Sequence, residues 1–147
     1  MIRVESFNDH PKRRVRHAEV RQTASAVLRG EGATNALLRV IFTGDSAMKK
    51  LNAAWLGHRS TTDVISFPLE GGHGGPIEGE IYVNLDQARR QAREYRVTER
   101  SEIARLVIHG SLHLLGHDDA TPALRRRMAG LEDAYLVRLG VRRPHTS

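Results

Sequence analysis

Residues 98–116 (TERSEIARLVIHGSLHLLG) are predicted to form a helix that is apolar around most of its circumference. A helix of this kind must be covered by other elements, so it is predicted to lie at the centre of the domain. Thr98 or Ser101 is expected to cap its start, and Gly116 to end it. At about 100° per residue, two apolar faces lie on nearly opposite sides: Ile103, Leu106, Val107, Gly110 and Leu114 on one, and Ala104, Ile108, Leu112 and Leu115 on the other.

The remaining sequence alternates between strand-like and helix-like segments. Strands are predicted at 2–6, 35–44, 62–70 and 77–85, and helices at 11–30, 45–57, 86–97 and 121–140. The short connection between the third and fourth strands fits a hairpin, which argues against a purely parallel sheet. We therefore expect one domain, residues 1–147, with an α+β fold of the α/β-sandwich type. It should have one small mixed, mostly parallel sheet packed by about five helices, with a buried metal-binding helix at its centre.

Composition narrows the possible chemistry. The chain has no cysteine, so any metal must be held by His, Asp or Glu. We find no apolar run long enough to span a membrane and no signal-peptide pattern near the start, so no membrane partner and a cytoplasmic location are expected.

The chain is strongly basic, with a formal charge of +6 at pH 7. Of its 23 basic residues only Lys12, Lys49 and Lys50 are lysines, so arginine dominates. Arginine suits phosphate recognition, and a basic domain suggests a nucleic-acid partner. The alternative is that the arginines reflect codon composition. An aromatic content of 5% argues against a broad platform for stacking bases.

The stretch HGSLHLLGHDD (109–119) predicts a metal site. His109 and His113 are four residues apart and share one stripe of the helix. Gly116 lets the chain turn back, which brings Asp119 into reach as a third ligand. Three protein ligands leave one tetrahedral position for water, as in catalytic zinc sites. His117 is the rival third ligand, and Asp118 or Asp119 could instead cap the next helix.

Gly110 argues against a zinc protease. Proteases of the H-E-x-x-H type carry a glutamate directly after the first histidine as the general base. Gly110 occupies that position here, so peptide hydrolysis is disfavoured.

HGSLHLLGHDD, together with TTDVISFPLE and GEIYV upstream, resembles the YbeY family of bacterial endoribonucleases over about residues 35 to 140. The family signature reads H-G-x-L-H-L-x-G-Y-D-H. The resemblance implies a small α/β metalloprotein with one zinc ion per chain, and no nucleotide cofactor is expected. It also implies cleavage of single-stranded RNA, in maturation of the 16S ribosomal RNA 3′ end and in ribosome quality control, with the ribosome or its proteins as partners.

Carried over by position, the resemblance makes His109 and His113 zinc ligands. The third family histidine falls on Asp119, and the family tyrosine falls on His117. A carboxylate oxygen is a legitimate zinc ligand, so the departure keeps a site and could change its metal preference.

A second departure concerns the arginine that the family usually carries at the position of Leu56. Arg59 lies in the same loop and could supply the catalytic phosphate contact instead; an ordinary exposed arginine is the alternative. The common family proline is replaced by Thr61.

Three functions follow in order. The first is a zinc-dependent endoribonuclease, with RNA held by basic clusters such as 12–14 and 125–127. The second is an RNA- or ribosome-binding assembly factor whose metal is structural. The third is a metallohydrolase for small or peptide substrates. The sequence leaves the general base open among Glu70, His73, Asp118 and Glu132.

Overall fold

The computed structural model describes residues 1–56, 62–69 and 76–141. The described part contains four strands and five helices. The strands are β1 (Ile2–Asn8), β2 (Ala36–Thr43), β3 (Val64–Pro68) and β4 (Ile77–Asn84). The helices are α1 (His17–Gly30), α2 (Asp45–Leu56), α3 (Leu85–Tyr95), α4 (Glu99–Leu114) and α5 (Pro122–Arg138).

The four strands form one mixed sheet in the order β1-β2-β4-β3. β1, β2 and β4 run parallel, and β3 pairs antiparallel with β4, with Val64 opposite Val83. The hairpin expected from the sequence is therefore confirmed, as is the small, mostly parallel sheet. None of the helices in the described ranges has the length and apolarity needed to cross a membrane.

Helix α4 lies at the centre of the fold and packs against α1, α3, α5, β3 and β4. Leu106 and Val107 on one face join the core formed by the sheet, α1 and α3. Ala104, Ile108 and Leu112 on the other face join a second core with α5. The two apolar faces predicted from helical phase thus meet different partners, and the expected α+β fold with a buried central helix is confirmed.

The ends of two helices follow the predicted capping residues. The Thr98 hydroxyl accepts a hydrogen bond from the backbone N–H of Ser101 at the start of α4. The Thr121 hydroxyl accepts one from the N–H of Leu124 at the start of α5. Gly116 takes a positive φ of 95° directly after α4, which reverses the chain toward α5.

The prediction for the start of α1 was wrong. The helix begins at His17 rather than near Pro11. Side chains hold the preceding segment in a non-helical conformation: Asn8 donates to the carbonyl of Arg13, and His10 Nδ1 accepts from the backbone N–H groups of Lys12 and Arg13. Local side-chain to backbone bonds of this kind compete with helix formation.

Gly110 allows α4 to approach the sheet closely. A Cβ atom at this position would lie 2.7 Å from Ile81 Cγ2 and 3.2 Å from Ser66 Oγ. Ile81 is fully buried on β4, and Ser66 on β3 donates a hydrogen bond to the Gly110 carbonyl. The position therefore excludes any larger side chain, the protease glutamate included.

We expect Gly110→Ala to lower the free energy of unfolding by about 1–3 kcal/mol, because the added methyl group overpacks the contact with Ile81. Chemical denaturation measures the change. Gly130→Ala on α5 is the matched control, since its Cβ would meet nothing within 4 Å, and it should be neutral or stabilising by up to about 1 kcal/mol. Equal stability of the wild type and Gly110→Ala would contradict the close packing.

Candidate metal centre

Three predicted ligands converge at the end of α4. His109 Nε2 lies 3.0 Å from His113 Nε2, and the two rings meet edge to face. Asp119 Oδ2 lies 3.6 Å from His109 Nε2 and 3.4 Å from His113 Nε2. Among the described residues, these three side chains form the one group of His, Asp and Glu whose ligand atoms could jointly hold a metal ion.

The separations fit a tetrahedral ion. Zinc binds nitrogen and carboxylate oxygen at about 2.0–2.2 Å, which places the ligand atoms of a tetrahedral site about 3.3–3.6 Å apart. The three distances range from 3.0 to 3.6 Å. All three side chains are partly exposed, so the centre is open to solvent on one side.

The loop between α4 and α5 gives its three polar residues different partners. Asp118 Oδ1 accepts a hydrogen bond from the N–H of Ala120. His117 Nε2 lies 2.8 Å from Glu31 Oε1, at the end of α1. Asp119 is the member of this trio whose carboxylate faces both histidines, and its rival His117 is engaged elsewhere.

Glu132 of α5 orients the first histidine. Its Oε2 accepts a hydrogen bond from His109 Nδ1 at 2.9 Å, which puts the ring proton on Nδ1 and leaves Nε2 facing the cluster. A carboxylate behind a ligating imidazole is the usual second layer of a metal site. The other oxygen, Oε1, accepts from Arg105 at 3.1 Å. Glu132 is only 4% exposed, so its position is fixed.

The network continues into α3. Arg105 also donates to both carboxylate oxygens of Glu102, at 2.9 and 2.6 Å. Glu102, which is 1% exposed, in turn accepts from the Gln91 side chain at 2.7 Å. The two acids raise the pKa of Arg105 despite its burial. One guanidinium thus serves two buried carboxylates, which leaves an excess of negative charge beneath His109.

That charge acts on His109. Burial lowers the pKa of its imidazole, but the hydrogen bond and charge of Glu132 and the charges of Asp63 and Asp119 outweigh burial. The pKa of His109 is therefore raised above its ordinary value. An environment that favours a proton on this ring favours a metal cation for the same electrostatic reason.

The structure also shows which functional residues the sequence did not reveal. Glu31, Glu102 and Arg105 were not considered, and Glu132 was only one of several conceivable bases. One signal was available: Glu132 falls between Met128 and Leu136 on the apolar stripe of α5, where a charged residue needs a buried partner. Arg59, Glu70, His73 and the side chain of Leu56 lie outside the described residues.

The fold and this cluster define a small α+β protein with a candidate His-His-Asp metal centre on its central helix. The family model described as endoribonuclease YbeY matches residues 5–140, and the chain belongs to this family. The resemblance read from the sequence is thereby confirmed.

Several relatives support the same conclusion. An endoribonuclease YbeY of an Anaeromyxobacter species is 40% identical over 126 residues, covering 85% of this chain and 66% of that protein. The corresponding protein of Salinibacter ruber is 38% identical over 136 residues, covering 88% and 87%. A solution structure of a protein from Thermotoga maritima covers 95% of this chain and 89% of that chain, with a TM-score of 0.63 and 25% identity.

Replacing Glu132 with Gln tests the role of the second layer. The amide is the same size, but it lacks the charge that orients His109, so zinc affinity should fall about 10- to 100-fold. Competition against a chromogenic chelator measures the affinity. Asp118→Asn, in the ligand loop but outside the cluster, is the control and should leave it unchanged. An unaltered affinity in folded Glu132→Gln would contradict this assignment.

Proposed function

We propose that this protein is a zinc-dependent endoribonuclease that cleaves single-stranded RNA, in maturation of the 16S ribosomal RNA 3′ end and in ribosome quality control. The convergence of His109, His113 and Asp119 on one point, in a chain of the endoribonuclease YbeY family, carries the proposal. We further propose that residues 1–147 act as one domain in the cytoplasm, with the ribosome or its proteins as partners.

The metal proposal rests on the donor set. His109, His113 and Asp119 would hold one zinc ion per chain, and their separations fit that ion. A zinc ion would supply Lewis acidity toward a phosphoryl oxygen and toward water, which is the chemistry that RNA hydrolysis needs.

The protein's own groups have separate tasks. Glu132 holds the proton at His109 Nδ1 and so keeps Nε2 directed at the cluster. Both of its oxygens are already engaged, by His109 and Arg105, which makes Glu132 a positioning residue rather than a general base. We propose Arg59 as a catalytic contact to the RNA phosphate, as the sequence suggested.

A small cavity supports RNA contact near the cluster. It has a volume of about 220 Å³ and lies beside the ligand loop, lined by Gly116, His117, Asp118, Leu124, Arg127 and Met128. Arg127 is exposed on α5, where its guanidinium can meet a phosphate that approaches the loop. Arginines at this edge would bind RNA through salt-dependent phosphate contacts.

His113→Ala tests the proposal directly. Loss of one of three ligands should abolish stoichiometric zinc and reduce cleavage of a single-stranded RNA substrate by at least about 100-fold. Metal analysis and a gel assay of the same preparation check both. His17→Ala, a histidine on α1 that contacts Ser6, is the control. Full cleavage without bound metal would overturn the enzyme proposal. RNA binding and ribosome maturation that persist without metal or cleavage would favour the assembly-factor alternative.

Asp119→His tests the third ligand. The substitution restores the residue type of the family signature and replaces a hard oxygen donor with imidazole, so preference for zinc over manganese should rise about tenfold or more. Competitive titration with the two metals measures the ratio. Asp119→Ala should weaken binding of both. If Asp119→Ala binds zinc as tightly as the wild type, Asp119 is not a ligand.

A further inference from the structure

A second cavity lies away from the metal cluster and is the larger of the two described. It has a volume of about 440 Å³ and is bounded by residues 12–16, α1, α4 and the end of α5. We refer to it as the α1–α4 groove. Its floor is aliphatic and includes Val15, Val20, Leu85, Ile103, Val107 and Val141. The volume is within the range of sites that bind ligands or side chains of partners.

The groove and the metal cluster occupy different sides of α4. Ile103, Ala104 and Val107 line the groove, and at about 100° per residue their mean direction is roughly 150° from that of His109 and His113. The basic residues 12–14, which the sequence suggested as an RNA contact, therefore lie at the groove and not at the candidate catalytic centre.

The rim of the groove has a positive excess. Five basic side chains (Lys12, Arg13, Arg14, Arg16 and Arg100) stand against two acidic ones (Glu19 and Glu99). Glu19 is taken up by Arg16 and Arg100, and Glu99 pairs with Arg13. Within the described residues, Lys12 and Arg14 have no carboxylate partner, and both are exposed. The rim therefore offers two cations to an acidic ligand.

The rim is built in advance. The imidazole of His10 is fixed by Asp86 at 2.9 Å, and its Nδ1 accepts from the backbone N–H groups of Lys12 and Arg13. Arg13 is also bonded to Asp86. The segment that carries the two free cations is therefore held in place before any ligand arrives, which reduces the entropy lost on binding.

The lining distinguishes between two kinds of partner. None of the described residues that line the groove is aromatic, so unpaired bases would find no ring on which to stack. An aliphatic floor under an arginine-rich rim instead fits large apolar side chains flanked by carboxylates. We propose that the α1–α4 groove docks an acidic amphipathic peptide segment of a partner protein, with apolar side chains on the floor and carboxylates at Lys12 and Arg14.

The test uses the full chain and a fluorescent peptide of repeating Glu-Glu-Leu-Leu units. Fluorescence anisotropy should show saturable binding that weakens as salt rises. Lys12→Glu combined with Arg14→Glu should weaken it at least about tenfold, because two attractive contacts become repulsive. Arg93→Glu, an exposed arginine on α3 outside the groove, is the matched control and should bind like the wild type.

Two further measurements separate the floor from the rim and peptide from RNA. Val15→Ser should weaken peptide binding, whereas a Glu-Glu-Ser-Ser peptide should not bind the wild type. Absence of saturable binding to the wild type, or equal binding by the Lys12/Arg14 variant, would overturn the proposal. It would also be overturned if that variant lost affinity for poly-uridine RNA while peptide binding stayed unchanged. Cleavage activity should be unaffected in the rim variant, so failure here is distinguishable from failure of the endoribonuclease proposal.

Discussion

The burial of α4 is the constraint on which the rest of the structure depends. The sheet covers one of its faces and α5 covers the other, so chemistry is confined to the stripe between them. Gly110 brings the helix against Ile81, which fixes its height above the sheet. His109 and His113 share that stripe four residues apart, and each therefore starts from a rigid backbone. A pair of ligands on a helix packed from all sides loses little entropy when it binds an ion.

A buried charge network completes what the helix begins. Removing one partner from a buried ion pair commonly costs about 3–5 kcal/mol, because the other charge is left without compensation. Arg105 joins Glu102 on its own helix to Glu132 on α5, so this network ties the two helices together beneath the cluster. The same interaction that helps to dock α5 also presents Glu132 to His109. Folding of the last helix and orientation of the first ligand are therefore coupled.

The sequence predicted the parts of the fold that depend on local periodicity. The central helix, its two apolar faces, the hairpin and the caps Thr98 and Thr121 follow from spacing and residue type. The start of α1 did not, because the bonds that stop it involve His10, whose ring is held by Asp86 far along the chain. Glu132 behind His109 also depends on how two helices pack, which no local pattern specifies. The spacing suggested Asp119 and left His117 open, and the contact between His117 and Glu31 became visible only in three dimensions.

Two departures from the family signature, Asp119 and His117, become intelligible as one arrangement. A carboxylate is shorter than an imidazole, so the loop must bring Asp119 close to the helix. His117 ties that loop to Glu31, which also accepts from Tyr135 of α5 at 2.6 Å. The charge changes as well: Asp119 contributes one negative charge, and the network of Arg105 with its two acids contributes one more in excess. A divalent cation at the cluster would balance both, whereas a proton on His109 balances only one.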